Sequence, residues 1–264
     1  MKTILIVALL FYVAFALFAY FVSDRMIFLP PGTSYEARRL QVVMVPTAGG
    51  SSIATLHLPN PRAKLTLLYS HGNAEDLGQL TPWLEDYRAA GFAVLAFDYR
   101  GYGASTGGPP STKGAVDDME AVYRHAVGTL GIPPASIVLF GRSVGSGPAT
   151  ELATRLPVGG LVIESGFVSA FRVLTRAALL PFDKFPNLRS LRRVRCPVLV
   201  IHGIQDEVIP VSHGRRLYEA ANEPKQALWI EGAHHNDVMS VGGSRYWSAL
   251  GQFSTVVQAS RPTP

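Results

Sequence analysis

Six short apolar runs, at 65–69, 93–97, 137–140, 161–163, 198–201 and 227–230, alternate with stretches of helical periodicity. A strand that is apolar at successive positions must be covered on both faces. The pattern therefore predicts an α/β fold with a mostly parallel, doubly wound sheet. Helices are expected over 77–90, 115–130, 147–156, 213–221 and 246–259, and two further β-like runs, 40–45 and 52–58, precede the alternation. Residues 166–195 interrupt it, being too long for a simple connection between strand and helix. They are expected to form a short helical lid over the carboxyl edge of the sheet. Seven Lys and Arg against the single acid Asp183 give this segment a net charge of +6, and Phe167, Phe171, Leu174 and Phe182 suit it to lining an apolar pocket. Residues 261–264 read as a frayed tail.

A second constraint lies at the N-terminus. Residues 3–22 carry no charge. Twenty residues at about 1.5 Å each match the roughly 30 Å of a bilayer's hydrocarbon. The run is expected to be one transmembrane helix ending at Asp24 and Arg25, and to tether the protein without taking part in its chemistry. A cleaved signal peptide with Ala14-Phe15-Ala16 as its small-residue site is the competing reading. Lys2 favours an N-terminus inside and a body on the non-cytoplasmic side, although Arg25, Arg38 and Arg39 lie across the span. The expected organisation is an anchor over 1–24, a stiff linker over 25–39 containing Phe28-Leu-Pro-Pro-Gly32, and one domain over 40–264 with its lid at 166–195. Roughly 240 residues outside the anchor suffice to bury one α/β core. With 48% hydrophobic and 16% charged residues the chain is not disordered. Cys196 is its only cysteine, which excludes an internal disulfide and cysteine-rich zinc sites. The net charge of +5 comes with no nucleic-acid motif.

The run 137–140 leads into Gly141-x-Ser143-x-Gly145 and then a helical stretch. A nucleophile elbow needs this arrangement: a serine on a strained turn from strand to helix, with flanking glycines that let neighbouring backbone approach. Neither a phosphate loop nor a dinucleotide fingerprint fits the spacing, and no cofactor is implied. A serine nucleophile needs a base, and the base an orienting acid. On such a sheet these follow on later loops in the order Ser, acid, His. Asp206, after the run 198–201, is the candidate acid, with Glu164 as its rival. His234 and His235, after the run 227–230, compete as the base; no third ligand accompanies them to suggest a metal. For the oxyanion hole the candidates are the backbone N–H groups of Val144 and Asn73. His71 precedes Ser143 and reads, like His202, as a structural loop histidine. The Gly-rich loop from Asp98 to Ser105 reads as loop geometry, and His57, His125 and His213 as surface residues.

Ser70-His-Gly-Asn73, Asp98-Tyr-Arg-Gly-Tyr-Gly103, Gly141-Arg-Ser-Val-Gly145, His202-Gly-x-x-Asp206 and Gly232-Ala-His-His-Asn-Asp237, in that order, resemble the α/β-hydrolase-fold serine hydrolases over residues 40–260. Within that superfamily, the stretch from His71 to Gln79 and His235-Asn-Asp237 resemble the abhydrolase-domain proteins that include membrane-bound protein depalmitoylases. The resemblance implies an α/β-hydrolase fold and a catalytic histidine directly before Asn-Asp, which is His235. Those depalmitoylases are anchored by acylated N-terminal cysteines; this chain has an uncharged apolar run in their place. The expected activity is cleavage of a carboxylic ester or thioester by a Ser-His-Asp triad, at a lipid bilayer. A serine peptidase, an acyltransferase and a hydrolase-fold binding protein without activity are the alternatives.

Overall fold

Five of the six apolar runs become interior strands; the sixth, 227–230, falls in an edge strand of the sheet. The computed structural model describes residues 1–260; the expected frayed tail at 261–264 lies outside them. Its elements in chain order are α1 (Lys2–Ile27), α2 (Ala37–Leu40), β1 (Val43–Pro46), β2 (Ser52–Leu58), β3 (Thr66–Ser70), α3 (Leu77–Ala89), β4 (Ala93–Phe97), α4 (Thr112–Gly128), β5 (Ile137–Arg142), α5 (Ser146–Ala153), β6 (Gly160–Glu164), α6 (Ala170–Thr175), α7 (Asn187–Leu191), β7 (Val198–Gly203), α8 (Val211–Ala220), β8 (Lys225–Ile230) and α9 (Val238–Ala259). Every residue of β3, β4, β5, β6 and β7 is buried, whereas the edge strand β1 buries only Val45. The eight strands lie in the order β1-β2-β4-β3-β5-β6-β7-β8. β2 alone points opposite to the other seven strands, pairing antiparallel with β1 and β4.

Alternation of side chains along each strand divides the core into two layers. Leu68, Leu95, Leu139, Ile163 and Val200 face α4, α5 and α8 through Met119, Val122, Leu152 and Leu217. Leu67, Val94, Phe140 and Leu199 face α3 and α9 through Leu80, Leu84, Leu250 and Phe253. Chain order reverses at β3, which pairs with β4 on one side and β5 on the other. A crevice opens at the carboxyl ends of strands where the order reverses. Ser70 lies level with Gly141 there, so the loops after β3 and β5 meet.

The expected linker is packed into the domain. α1 continues to Ile27, and Phe28 is only 2% exposed, its ring edge-on to Tyr99, Tyr102 and Phe185. Leu29 N–H donates to Asn73 Oδ1 at 2.7 Å and Ser34 N–H to Asp76 Oδ2 at 2.6 Å. The hydroxyl of Tyr35 donates to Asp98. Pro30, Pro31 and Gly32 thus shape a strap across the loops after β3 and β4.

Other boundaries differ from expectation for local reasons. Gln41 adopts φ 57° and ends α2, so β1 begins at Val43 rather than 40. Ser111 caps α4 by accepting from Gly114 N–H at 3.0 Å, which starts that helix early. α9 begins at Val238 because Gly243, at φ 47°, joins a short first piece to the expected helix. Of the expected lid, α7 is no cover: Leu191 and Val194 are fully buried in the core, and Asn187 Nδ2 donates to Ser146 Oγ and the Phe167 carbonyl. His213, expected on the surface, is 7% exposed, accepts from Val168 N–H at 3.2 Å, and is lowered by burial to about 4.

Phe28→Ala tests the packed strap. Deleting a fully buried aromatic costs about 3–5 kcal/mol. Thermal unfolding of the full chain in detergent should show a Tm lower by on the order of 10 °C. An unchanged Tm would return residues 25–39 to the role of a spacer.

Candidate active site

The turn after β5 is built from sterics. Ser143 sits at φ 53°, a left-handed conformation that costs a residue with a Cβ about 1–3 kcal/mol. The residues two before and two after it must be glycine. A Cβ on Gly145 would overlap the Ser70 carbonyl, and one on Gly141 would collide with the backbone of Gly145 and Ser146. The first turn of α5 then holds the elbow, with Ser146 Oγ donating to the Ser143 carbonyl at 2.6 Å.

Two later strand ends complete a relay. His235 Nε2 lies 3.0 Å from Ser143 Oγ, and His235 Nδ1 lies 2.8 Å from Asp206 Oδ2. Asp206 Oδ1 accepts from the N–H groups of Val208 and Ile209 at 3.0 and 2.7 Å. Burial would raise the Asp206 carboxyl, but hydrogen bonds from His202, His235 and Ile209 outweigh it and hold it well below the usual carboxylate range. The competing histidine is elsewhere. His234 is exposed and pairs with Glu207 at 3.0 Å, which raises its pKa. The competing acid is elsewhere too. Glu164 is buried, bound by the Tyr246 hydroxyl and flanked by Arg142, and burial pushes it up against the pull of both. The other two loop histidines sit apart from Ser143 in the hydrogen-bond pattern: His71 Nδ1 lies 2.7 Å from the Gly72 carbonyl, and His202 Nε2 lies 2.8 Å from the Ile209 carbonyl and 3.2 Å from Asp206 Oδ2.

Beside Ser143, the Arg142 side chain is 5% exposed. Its guanidinium pairs with Glu75, donates to Asn236 Oδ1 at 2.8 Å, lies 3.5 Å from Glu164 and sits over the Trp83 ring. Glu75 in turn accepts from Gly72 N–H at 2.8 Å. Asn73 Oδ1 accepts from Leu29 N–H, Tyr102 hydroxyl and Ala74 N–H. The side chain of Asn73 is thus held fast by three donors. Asn73 and Val144 both line the cavity at Ser143.

That cavity measures about 380 Å³, within the size range of small-molecule sites. Phe167, Phe171, Val173, Leu179, Leu180 and Phe182 form much of its wall. Residues 170–183 are therefore the part of the expected lid that covers the site. A second wall comes from α1, through Phe18, Ala19, Met26 and Ile27 among others. The membrane-length helix therefore borders the cavity at Ser143.

Residues 60–182 match the family model described as serine aminopeptidase, S33, and residues 151–236 match serine hydrolase (FSH1). Human alpha/beta hydrolase domain-containing protein 17B is 38% identical over 229 residues, covering 84% of this chain and 77% of that protein. The chain belongs to the abhydrolase-domain family of serine hydrolases. Among solved structures, the Pyrococcus furiosus esterase Pf2001 superposes with a TM-score of 0.70 at 20% identity, covering 86% of this chain and 98% of its own. The Paleococcus ferrophilus monoacylglycerol lipase gives 0.62 at 21%, covering 79% and 99%. These two show the shared α/β-hydrolase fold.

In this abhydrolase-domain protein, sequence reasoning misses Arg142, although it lies inside the Gly141–Gly145 motif. A buried arginine is rare, and only its carboxylate partners from distant loops reveal it. Sequence reasoning also misses the α1 wall, because a run apolar on all sides does not declare which face is inward. Arg142→Met leaves Glu75 and Glu164 buried without their cation and should destabilise by about 3–5 kcal/mol. Adding Glu75→Gln and Glu164→Gln to that variant should restore more than half of the loss in denaturant unfolding. A triple variant no more stable than Arg142→Met alone would show that the charges are not what couples these loops.

Proposed function

We propose that this protein is a membrane-anchored serine hydrolase that cleaves an acyl ester or thioester through an acyl-enzyme on Ser143. One observation carries the reading: the chain of hydrogen bonds from Asp206 through His235 to Ser143 ends in an apolar cavity. Ser143 Oγ attacks the acyl carbonyl carbon while His235 Nε2 takes the hydroxyl proton. Asp206, held ionised, keeps Nδ1–H directed at itself and stabilises the imidazolium that forms. The negative charge on the former carbonyl oxygen is received by the backbone N–H groups of Val144 and Asn73 and by the N-terminus of α5. Collapse of the tetrahedral intermediate expels the alcohol or thiol, which takes the proton from His235. Water then repeats the sequence on the acyl-enzyme, and the acid leaves with Ser143 restored. The cavity's phenylalanine, leucine and valine lining favours an acyl chain over a peptide, whose backbone would need polar partners along the groove. The length and apolarity of α1 support its role as the anchor.

Fluorophosphonate labelling and ester hydrolysis test the assignment. Ser143→Ala should abolish labelling and lower kcat by about 10⁴-fold or more. Asp206→Asn should cost about 10³–10⁴-fold by leaving the imidazole in the wrong tautomer. His235→Ala should be inactive while His234→Ala keeps most activity. Labelling that survives Ser143→Ala, or activity that follows His234 instead, would overturn the roles of Ser143 and His235.

A further inference from the structure

The residues that α1 gives to the cavity fall on one face. Phe15, Phe18, Ala19, Ser23, Met26 and Ile27 recur at spacings of three and four, so they form a single stripe along the last four turns of the helix. Ser23 adds a buried hydroxyl that has no partner among the described residues. The lid closes onto this stripe. Tyr12 hydroxyl donates to the Leu179 carbonyl at 3.2 Å, the Tyr20 and Phe182 rings meet edge-on at 5.6 Å, and Lys184 lies 3.3 Å from Asp24. From Tyr12 to Asp24 is about 18 Å of helix at 1.5 Å per residue. The part of the loop between α6 and α7 that lies between Arg176 and Asp183 therefore runs beside α1 through the stretch that would lie in hydrocarbon, with Lys184 at its charged edge. Residues 177–182, Ala-Ala-Leu-Leu-Pro-Phe, carry no charge, and Leu174 and Leu179 are 78% and 54% exposed. Exposed leucines beside a bilayer-length helix are suited to lipid rather than water.

We propose that α1 is one wall of an acyl-binding site: the long fatty acyl chain of a bilayer-resident ester or thioester enters sideways between α1 and α6 and places its carbonyl at Ser143, with the tip of the lid in the same leaflet. The proposal rests on the serine-hydrolase reading and adds the substrate class and the route. A chain moving from lipid into this cavity stays in apolar surroundings throughout. It escapes the cost that exposing each methylene to water would impose. The membrane helix then reads acyl length as well as holding the enzyme to the bilayer.

The test uses the full chain in phosphatidylcholine vesicles. Ala19, 7% exposed, points into the cavity; Leu17, 53% exposed, lies on the opposite face of α1. Ala19→Trp should lower the ratio of kcat/KM for a palmitoyl ester to that for a butyryl ester by about tenfold or more, since it removes room for several methylenes. Leu17→Trp should leave that ratio within about twofold, the scatter expected of a lipid-facing change. A ratio that neither or both substitutions move would overturn the proposal. A binding readout separates this from the function it rests on. In Ser143→Ala, a palmitoyl ester with a diazirine at its chain end should crosslink within residues 15–27, and excess palmitoyl ester should suppress that crosslink. Crosslinks confined to other segments, or unaffected by competitor, would reject the α1 wall even if hydrolysis is normal. A competed crosslink on α1 in Ser143→Ala, together with an unsubstituted protein that hydrolyses no ester, would keep the site and reject the hydrolase.

Discussion

A single buried guanidinium ties the reactive loops to one another. Arg142 precedes Ser143 in sequence and so cannot move without moving that serine. Its partners come from three other places: Glu75 after β3, Glu164 at the end of β6, and Asn236 next to His235. Removing these charges from water is expensive, and their attraction offsets that cost only in good geometry. The cluster is therefore intolerant of loose arrangements. It sets the distance between the loop that carries Asn73, the elbow, and the loop that carries the histidine.

The same cluster explains a division of labour between two acids. Glu164 ends β6, nearer in the sheet to β5 than Asp206 at the end of β7. Yet Glu164 is committed to Arg142 and Tyr246, and burial raises its pKa. Asp206 instead accepts two backbone N–H groups and two imidazoles, which keep it ionised. Only the second environment leaves a stable negative charge facing His235. The strain at Ser143 persists because the strands on both sides over-determine it: Gly141 and Gly145 admit the neighbouring backbone, and the carbonyl of Ser143 is held by Ser146.

Much of this is legible in the residues, for physical reasons that can be named. Strands such as Ala93–Phe97 announce themselves because burial on both faces demands apolar side chains throughout. Ser143 directly follows β5, and Asp206 and His235 lie in the loops after β7 and β8, so the sheet itself brings the three together. What stays hidden depends on contacts distant in sequence. Phe28 reads as part of a spacer because prolines follow it, and only the rings of Tyr99, Tyr102 and Phe185 show it to be core. His213 lies in a polar stretch whose inward face is visible only once α8 is laid on the sheet. The lid reads too long in the sequence, because basic residues flank Leu191 and Val194 and conceal their burial. The choice of His235 follows from family resemblance, since two adjacent histidines are indistinguishable by spacing alone.

Acylation of Ser143 is the step on which the proposed hydrolysis depends. Rapid-quench mass spectrometry of the full chain mixed with a palmitoyl thioester tests it most directly. The expected result is a palmitoyl mass on the peptide that contains Ser143, formed at least as fast as turnover and lost at a rate no slower than kcat. Product formation without that adduct, or an adduct that matures on Cys196 or another side chain, would contradict it.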